Sequence, residues 1–462
     1  MINSKTIEDA VYNLCVEANT ILPESVVAKI SEAYNSEKNK DAKMVLGLIL
    51  ENAQMAYEKK MPLCQDTGQV LVFAKSQCFP PNFKDAINKG VARAYEEKFF
   101  RKSVVENALF DRTNTKTNAP CVIYTEVSDK DELEIEVLIK GGGAENVCSV
   151  QMMSPTASED EIIEYIVSVI KKADSKACPP YFLGIGIGGT MEYAGILSKK
   201  ALLLEENIDE NHEKLAQKIQ TAVNELNIGA AGLGGASTAL DVKILTDFTH
   251  IACMPVAVTV NCHSMRHTKC VISEEQKVKS KKYLLTSHFS PLTSKDFIKV
   301  NAYDIKTLKS LKQGQKVLLS GEIYTARDMA HKRLVEMIKR GEKLPFDLKD
   351  KIIFYAGPCP CKEPCVIGSI GPTTSSRMDK YTPIFYENGI VATIGKGERS
   401  EEVKKSIKEN KGIYFTAIGG IACLFAEKFV KKELIAFEDL GTEAIYRFEI
   451  KDLPLIVNIG NN

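Results

Sequence analysis

The spacing of apolar residues divides the chain into two stretches of different character. In the first half it predicts helices near 41–59 and 83–99. A further helix opens at Ser158, where Glu161 stands as capping-box partner and Ile162, Ile163, Ile166 and Ile170 follow at helical spacing. Strand-like runs interrupt these helices, as at 133–143, where LEIEVLIKGGG alternates and then breaks on glycine. No repeating β-α-β rhythm is legible, which argues for an α+β or irregular α/β arrangement over a doubly wound sheet. From about 271 to 300 the chain becomes charged and rich in Ser and Thr. Beyond it, 315–345 predicts a buried strand, a glycine turn and a helix ending at Gly341 with Pro345 behind it. KIIFYAGP, GIVATIGKG, GIYFTAIGG and LPLIVNIG then predict glycine-punctuated strands.

Length supports this division, because 462 residues exceed what one core usually serves. The expected organisation is a mixed, mainly helical N-terminal domain over 1–275, a linker over 276–300 and an α/β C-terminal domain over 301–462. Lys plus Arg and Asp plus Glu balance at 60 each, which removes the field expected of a nucleic-acid or acidic-membrane binder. Any anion must be held by local groups. The first twenty residues carry Glu8, Asp9 and Glu17 and no apolar core, and no apolar run is long enough to span a bilayer. Neither a targeting signal nor a membrane partner is expected, and a cytoplasmic address follows. Thirteen cysteines without regular spacing point to free thiols or metal ligation, not a disulfide framework.

Three of these cysteines lie among turn-forming or polar residues: Cys64 in MPLCQDTG, Cys178 in KACPPYFLGIGIGGT and Cys262 in PVAVTVNCHSMRH. Their wide separation matches neither ferredoxin runs nor zinc CxxC pairs, and a small buried hydrophobe is the favoured reading of each one taken alone. Cys359, Cys361 and Cys365 in GPCPCKEPC form a denser group, readable as a metal site or as a thiol-rich loop. Gly184, Gly186 and Gly189 satisfy G-x-G-x-x-G, with Glu205 at a plausible ribose-binding distance, so a nucleotide-dependent oxidoreductase stays open. Close backbone approach in a packed turn is the alternative. Arg101, Arg327, Arg377 and Lys396 stand beside Gly, Thr or Asp outside charge runs, and Thr373 lies in the hydroxyl-rich loop GPTTSSRMD.

Read in order, the motifs resemble the class I, iron–sulfur fumarase family, which includes the L(+)-tartrate dehydratases. The resemblance rests on CQDTG at 64–68, Arg101-x-Ser, NTKTNAP at 114–120, KGGGAEN at 140–146, ACPPYFLGIGIGGT at 177–190 and THIACMPVAVTVNC at 249–262. It continues through LLSGEIYTARDMAH at 318–331, YAGP at 355–358, GSIGPTTSSRMDKY at 368–381 and IGKG at 394–397. CHSMR at 262–266 departs from the pattern after its cysteine, and GPCPCKEPC has more cysteines than the family pattern there.

The resemblance implies a reversible hydration of fumarate to malate, or the related dehydration of tartrate, with the α- and β-type parts fused in one chain. It implies a [4Fe–4S] cluster on Cys64, Cys178 and Cys262, with one iron left open as a Lewis acid. The positions matching substrate-binding residues are Gln65, Arg101, Gly143, His250, Arg327, Arg377 and Lys396. Thr373 matches the proposed base and Asp66 its activating partner, and a homodimer is expected.

Overall fold

The computed structural model describes residues 2–110, 112–273, 278–280 and 297–461. Two compact units divide the chain, Met1–Ser290 and Pro291–Asn462. The 276–300 stretch expected as a linker lies mostly outside the described residues, although the first strand of the second unit already begins at Ile298.

The first unit runs α1 (Ser4–Thr20), α2 (Glu24–Ser36), α3 (Lys40–Lys59), β1 (Gln69–Ser76), α4 (Phe83–Glu97), β2 (Val122–Val127), β3 (Leu133–Lys140), α5 (Gly142–Glu145) and β4 (Ser149–Met153). It continues α6 (Glu159–Ala173), β5 (Tyr181–Gly189), α7 (Met191–Ala201), α8 (Glu210–Asn224), β6 (Ala239–Thr249), β7 (Met254–Asn261), β8 (Arg266–Ile272) and β9 (Val278–Ser280). The helices expected near 41–59 and 83–99 are α3 and α4, and the capping box forms in full at Ser158 and Glu161. Asn39 starts α3 by accepting from the amides of Asp41 and Ala42.

Five strands form one sheet in the order β2-β1-β3-β8-β9. Alternation along β3 turns Leu133, Ile135, Val137 and Ile139 toward Val11 and Leu14 of α1 and Ile87 and Val91 of α4. Gly90 permits that approach, because a Cβ there would stand 2.6 Å from the Glu8 carbonyl oxygen. The second sheet has the order β4-β7-β5-β6. Leu183, Ile185, Val258 and Val260 pack one of its faces against Ile166 and Ile170 of α6 and Ile219 and Val223 of α8.

On the opposite face α7 sits directly on the glycines of β5. A Cβ on Gly184 would lie 2.0 Å from the Ser198 carbonyl oxygen, and one on Gly186 2.2 Å from that of Ala194. GIGIGG is therefore strand interior, whereas a phosphate-binding turn would place its glycines in the loop. A helix does begin directly after it, but its first turn carries Glu192, which disfavours an anion there. The nucleotide expectation is corrected: these glycines serve helix-on-strand packing.

The second unit contains β10 (Ile298–Asn301), α9 (Ile305–Ser310), β11 (Lys316–Thr325), α10 (Asp328–Lys339), β12 (Ile352–Phe354), α11 (Thr382–Glu387) and β13 (Ala392–Gly395). Next come α12 (Glu401–Glu409), β14 (Ile413–Thr416), α13 (Ala422–Ala426), β15 (Phe429–Ala436) and β16 (Ile445–Ile459). Its sheet has the order β10-β11-β12-β13-β14-β16-β15, and β16 also pairs with β11, so β11-β12-β13-β14-β16 close into a ring. β10 through β14 run parallel, and helices connect β11 to β14 in turn. A β-α-β rhythm thus runs through this unit, although strands of three or four residues are too short to show a period. Gly321 is likewise a bulge inside β11 at φ +113°, with a register shift beside it, where a turn was expected.

Candidate active site

Three loops meet at one end of the first unit's sheets. The 64–68 loop leads into β1, whose Gln69 pairs with Lys140 at the end of β3. Ile139 pairs in turn with Arg266 at the start of β8. On the other sheet Phe182 pairs with Asn261, which sets the Cys178 loop beside the end of β7. Residues 262–265 carry the chain from β7 to β8 and so from one sheet to the other. Cys64, Cys178 and Cys262 accordingly come together at the junction of the two sheets.

Their thiols sense one another. Burial pushes the Cys64 thiol up to about 12, Arg266 works against that rise, and Asp66 and Cys262 add to it. Burial also raises Cys262, with Cys178 the next contributor. Each of the three keeps partial exposure, and the Cys178 backbone is held at φ +58°. Among the described residues no three His, Cys, Asp or Glu side chains converge to hold a single metal ion, and that includes the 359–365 loop. A polynuclear cluster makes a different demand, since each thiolate binds its own iron and the sulfurs need not share a centre. Three neighbouring thiols fit that demand.

Asp66 is the fixed anion of this junction. It accepts from the amides of Gly142 at 2.9 Å and Gly68 at 3.1 Å, and Arg101 Nη2 lies 3.3 Å away. Burial alone would raise its carboxyl, but Arg101 and Arg266 with these two amides hold it below the usual range. Thr67 Oγ1 donates to the Arg101 carbonyl at 2.7 Å, tying the two segments together. Arg266 Nη1 donates to the Asp66 carbonyl at 2.7 Å and to Asn19 Oδ1 at 3.2 Å. Gln65 lies beside Cys64, with Oε1 3.4 Å from its sulfur. Gly143 is half-buried in α5, next to the Asp66 contact.

His250 is not part of this group. It is exposed in the turn between β6 and β7, and the eight residues of β7 separate that turn from Cys262, roughly 25 Å of extended chain. Its Nδ1 accepts from the Ala252 amide at 3.2 Å, and Phe248 and Ile251 beside it are 95% and 91% exposed.

In the second unit, the candidate residues gather at the carboxyl ends of the parallel strands, where open α/β sheets bind ligands. Arg327 follows β11 and caps α10, Tyr355–Gly357 follow β12, and Lys396 follows β13. The hydroxyl-rich loop is stitched across these ends: Thr373 N donates to the Tyr355 carbonyl at 2.7 Å, and Ser375 N to that of Lys396 at 2.9 Å. Thr373 is 8% exposed. Arg377 grips Asp328 with both Nε, at 3.0 Å, and Nη2. Arg327 Nη2 lies 3.4 Å from Glu443 Oε1, and a Cβ on Gly357 would come within 2.8 Å of Arg327 Nη1. Burial lowers His331 to about 4, so a neutral imidazole donates from Nδ1 to the Arg327 carbonyl, 2.9 Å away.

Sequence reasoning missed several supporting residues. Asp328 and Glu443 orient the arginines, and Asp328 could have been found as the acid directly after Arg327. Arg399, 3% exposed, reaches Asp379 at 2.9 Å and Thr382 at 2.6 Å between the rings of Tyr355 and Tyr414. Asn19 gave no signal, because a helical asparagine reads as surface until its burial is seen.

The Fumarate hydratase (Fumerase) family profile matches residues 8–271, and the Fumarase C-terminus profile matches residues 270–462. Over 454 residues the chain is 29% identical to "Fumarate hydratase class I, anaerobic" of Escherichia coli (strain K12), covering 92% of this chain and 82% of that one. "Putative fumarate hydratase class I" of Geobacillus stearothermophilus is 29% identical over 491 residues, with 98% and 94% covered. "Putative L(+)-tartrate dehydratase subunit alpha" of Methanocaldococcus jannaschii is 37% identical over 271 residues, 56% of this chain and 95% of that one. The two profile matches meet end to end and take in both candidate sites, so the chain belongs to the class I fumarate hydratase family.

Proposed function

We propose that this protein is a hydro-lyase that interconverts fumarate and malate with a [4Fe–4S] cluster held by Cys64, Cys178 and Cys262. The observation that carries the reading is the meeting of those three thiols, from three distant segments, beside Asp66, whose carboxylate lies against Arg101 and whose backbone carbonyl is held by Arg266. When bound, a cluster with one iron free of protein ligands supplies a Lewis acid for the hydroxyl that adds or leaves.

The remaining chemistry falls to the chain. Hydration puts a hydroxyl on one carbon and a proton on its neighbour, and each carbon carries a carboxylate. Arg101, Gln65 and Gly143 are assigned to the substrate in the first unit, and Arg327, Arg377 and Lys396 in the second; His250, at the far end of β7, is left out of this set. Fixed cations at the carboxylate beside the reacting C–H stabilise the charge that builds there as the proton leaves. Thr373 is assigned that proton: its side chain is buried, and its backbone is pinned at Tyr355 and at Lys396. Asp66, held ionised, is the anion that supports proton exchange.

Tartrate is the second reading, favoured by the 37% identity to the tartrate dehydratase subunit. Anaerobic reconstitution followed by parallel assays of fumarate, malate, both tartrates and mesaconate tests both. The expected result is a brown protein that hydrates fumarate and bleaches in air. Full activity in iron-free protein, or in Cys262→Ala, would overturn the proposal, and turnover of tartrate alone would select the second reading.

A further inference from the structure

Arg266 is 1% exposed at the start of β8. One side of its guanidinium is occupied: Nη1 holds the Asp66 carbonyl and Asn19, and Nη2 faces Gly141, where a Cβ would stand 3.6 Å away. Its Nε–H has no hydrogen-bond partner among the described residues. A buried, permanently charged group with an unmade bond is costly, by about 1–3 kcal/mol or more. An acceptor that the polypeptide does not present is therefore wanted here.

The surroundings indicate which acceptor. Arg266 follows Cys262 by four residues and hydrogen-bonds the loop that carries Cys64, so its charge acts on both thiols. Lys140, the other buried cation nearby, is already engaged by the Val260 carbonyl at 2.6 Å and Glu145 at 3.6 Å. The Asp66 carboxylate lies 3.3 Å from Arg101, whereas Arg266 is bonded to the neutral Asp66 carbonyl and to Asn19.

We propose that Arg266 is a positioning residue that turns its Nε–H and its charge toward the sulfur atoms of the cluster and thereby sets the cluster's reduction potential. This rests on the cofactor assigned above. A fixed cation favours the more negative, reduced form, so its removal makes reduction harder. Its bond to the Asp66 carbonyl also fixes the cluster side of the site relative to the acid.

The test is an anaerobic redox titration, followed by electron paramagnetic resonance, of the reconstituted parent protein, Arg266→Gln, Arg266→Lys and Asn19→Asp. The midpoint of Arg266→Gln should move to a more negative potential, with Arg266→Lys between it and the parent. An Arg266→Gln midpoint equal to the parent's overturns the proposal. If Arg266→Gln does not fold, Asn19→Asp decides, because a carboxylate against Nη1 offsets the same charge and should shift the midpoint the same way. An unchanged midpoint in that variant overturns the proposal too. A parent protein that takes up no cluster refutes the cofactor itself and this inference with it, whereas a loaded parent with indifferent variants refutes the arginine's role alone.

Discussion

Glu136 on β3 is a carboxylate that the fold holds at an energetic disadvantage. Its β8 neighbour across the ladder is Lys269. Burial still pushes its carboxyl up to about 7 from 4.5, and Glu134 and Glu205 add to the rise while Lys269 and Lys200 oppose it. A raised acid stabilises the fold at low pH, below its unfolded value, and that contribution is lost as pH climbs through the folded value. Between the two, the folded state must ionise a group that the unfolded chain ionises more easily. At pH 8 the difference comes to about 3 kcal/mol, and at pH 5 to less than about 1 kcal/mol. Glu136→Gln keeps the shape and removes the titration. The variant should therefore exceed the parent by about 3 kcal/mol at pH 8, roughly 5 °C in melting temperature for a unit of this size. Near pH 5 the two should almost coincide. Paired thermal melts at pH 5, 6.5 and 8 measure this, and a difference independent of pH would refute the assignment of cost to Glu136.

Gly186→Ala pushes a methyl to 2.2 Å from the Ala194 carbonyl oxygen; since backbone has to move, a loss of about 3 kcal/mol is expected in denaturant melts, and a neutral result would mean that α7 does not rest on β5. Ser158→Ala removes the hydroxyl that accepts from the Glu161 amide at 3.2 Å and should cost about 1 kcal/mol, read from the urea midpoint. Asp328→Asn loosens the grip on a half-exposed Arg377; stability should change by less than about 1 kcal/mol, while the KM for fumarate rises. An unchanged KM would show that Asp328 does not orient Arg377 for substrate.

What was legible in the chain depended on the length of each signal. The capping box at Ser158 and the alternation of β3 are local patterns many residues long, and both reappear as α6 and as a half-buried strand. β12, β13 and β14 are three or four residues each and wholly buried, so they carry no alternation, and the ring they form with β11 and β16 was invisible. GIGIGG misled for a different reason. Glycine serves both a phosphate turn and a helix pressed onto a strand, and only the positions of Ser198 and Ala194 decide between them. Cysteine spacing was uninformative because the three thiols meet through sheet pairing, from Gln69 to Lys140 and from Phe182 to Asn261, which a sequence does not display.

The balance of charge along the chain gains a meaning from these sites. A protein with 60 cations and 60 anions draws dicarboxylates by no long-range field, so selectivity has to come from how individual pairs are arranged. Arg377 is held by Asp328 and Arg327 lies against Glu443. Each arginine is therefore oriented before any ligand arrives, which lowers the entropy lost on binding. The same carboxylates weaken the attraction for an incoming anion, so these arginines favour a ligand of matching shape over a merely negative one. The first unit is arranged the opposite way. There the Asp66 carboxylate lies 3.3 Å from Arg101, whereas Arg266 is bonded to the neutral Asp66 carbonyl and to Asn19, so a buried guanidinium charge stands beside three thiols. A polyanion at that place would complete the charge balance, and a neutral or cationic group would not. The second unit's arginines are thus oriented by fixed carboxylates, whereas Arg266 in the first unit keeps a buried charge that an anion would offset.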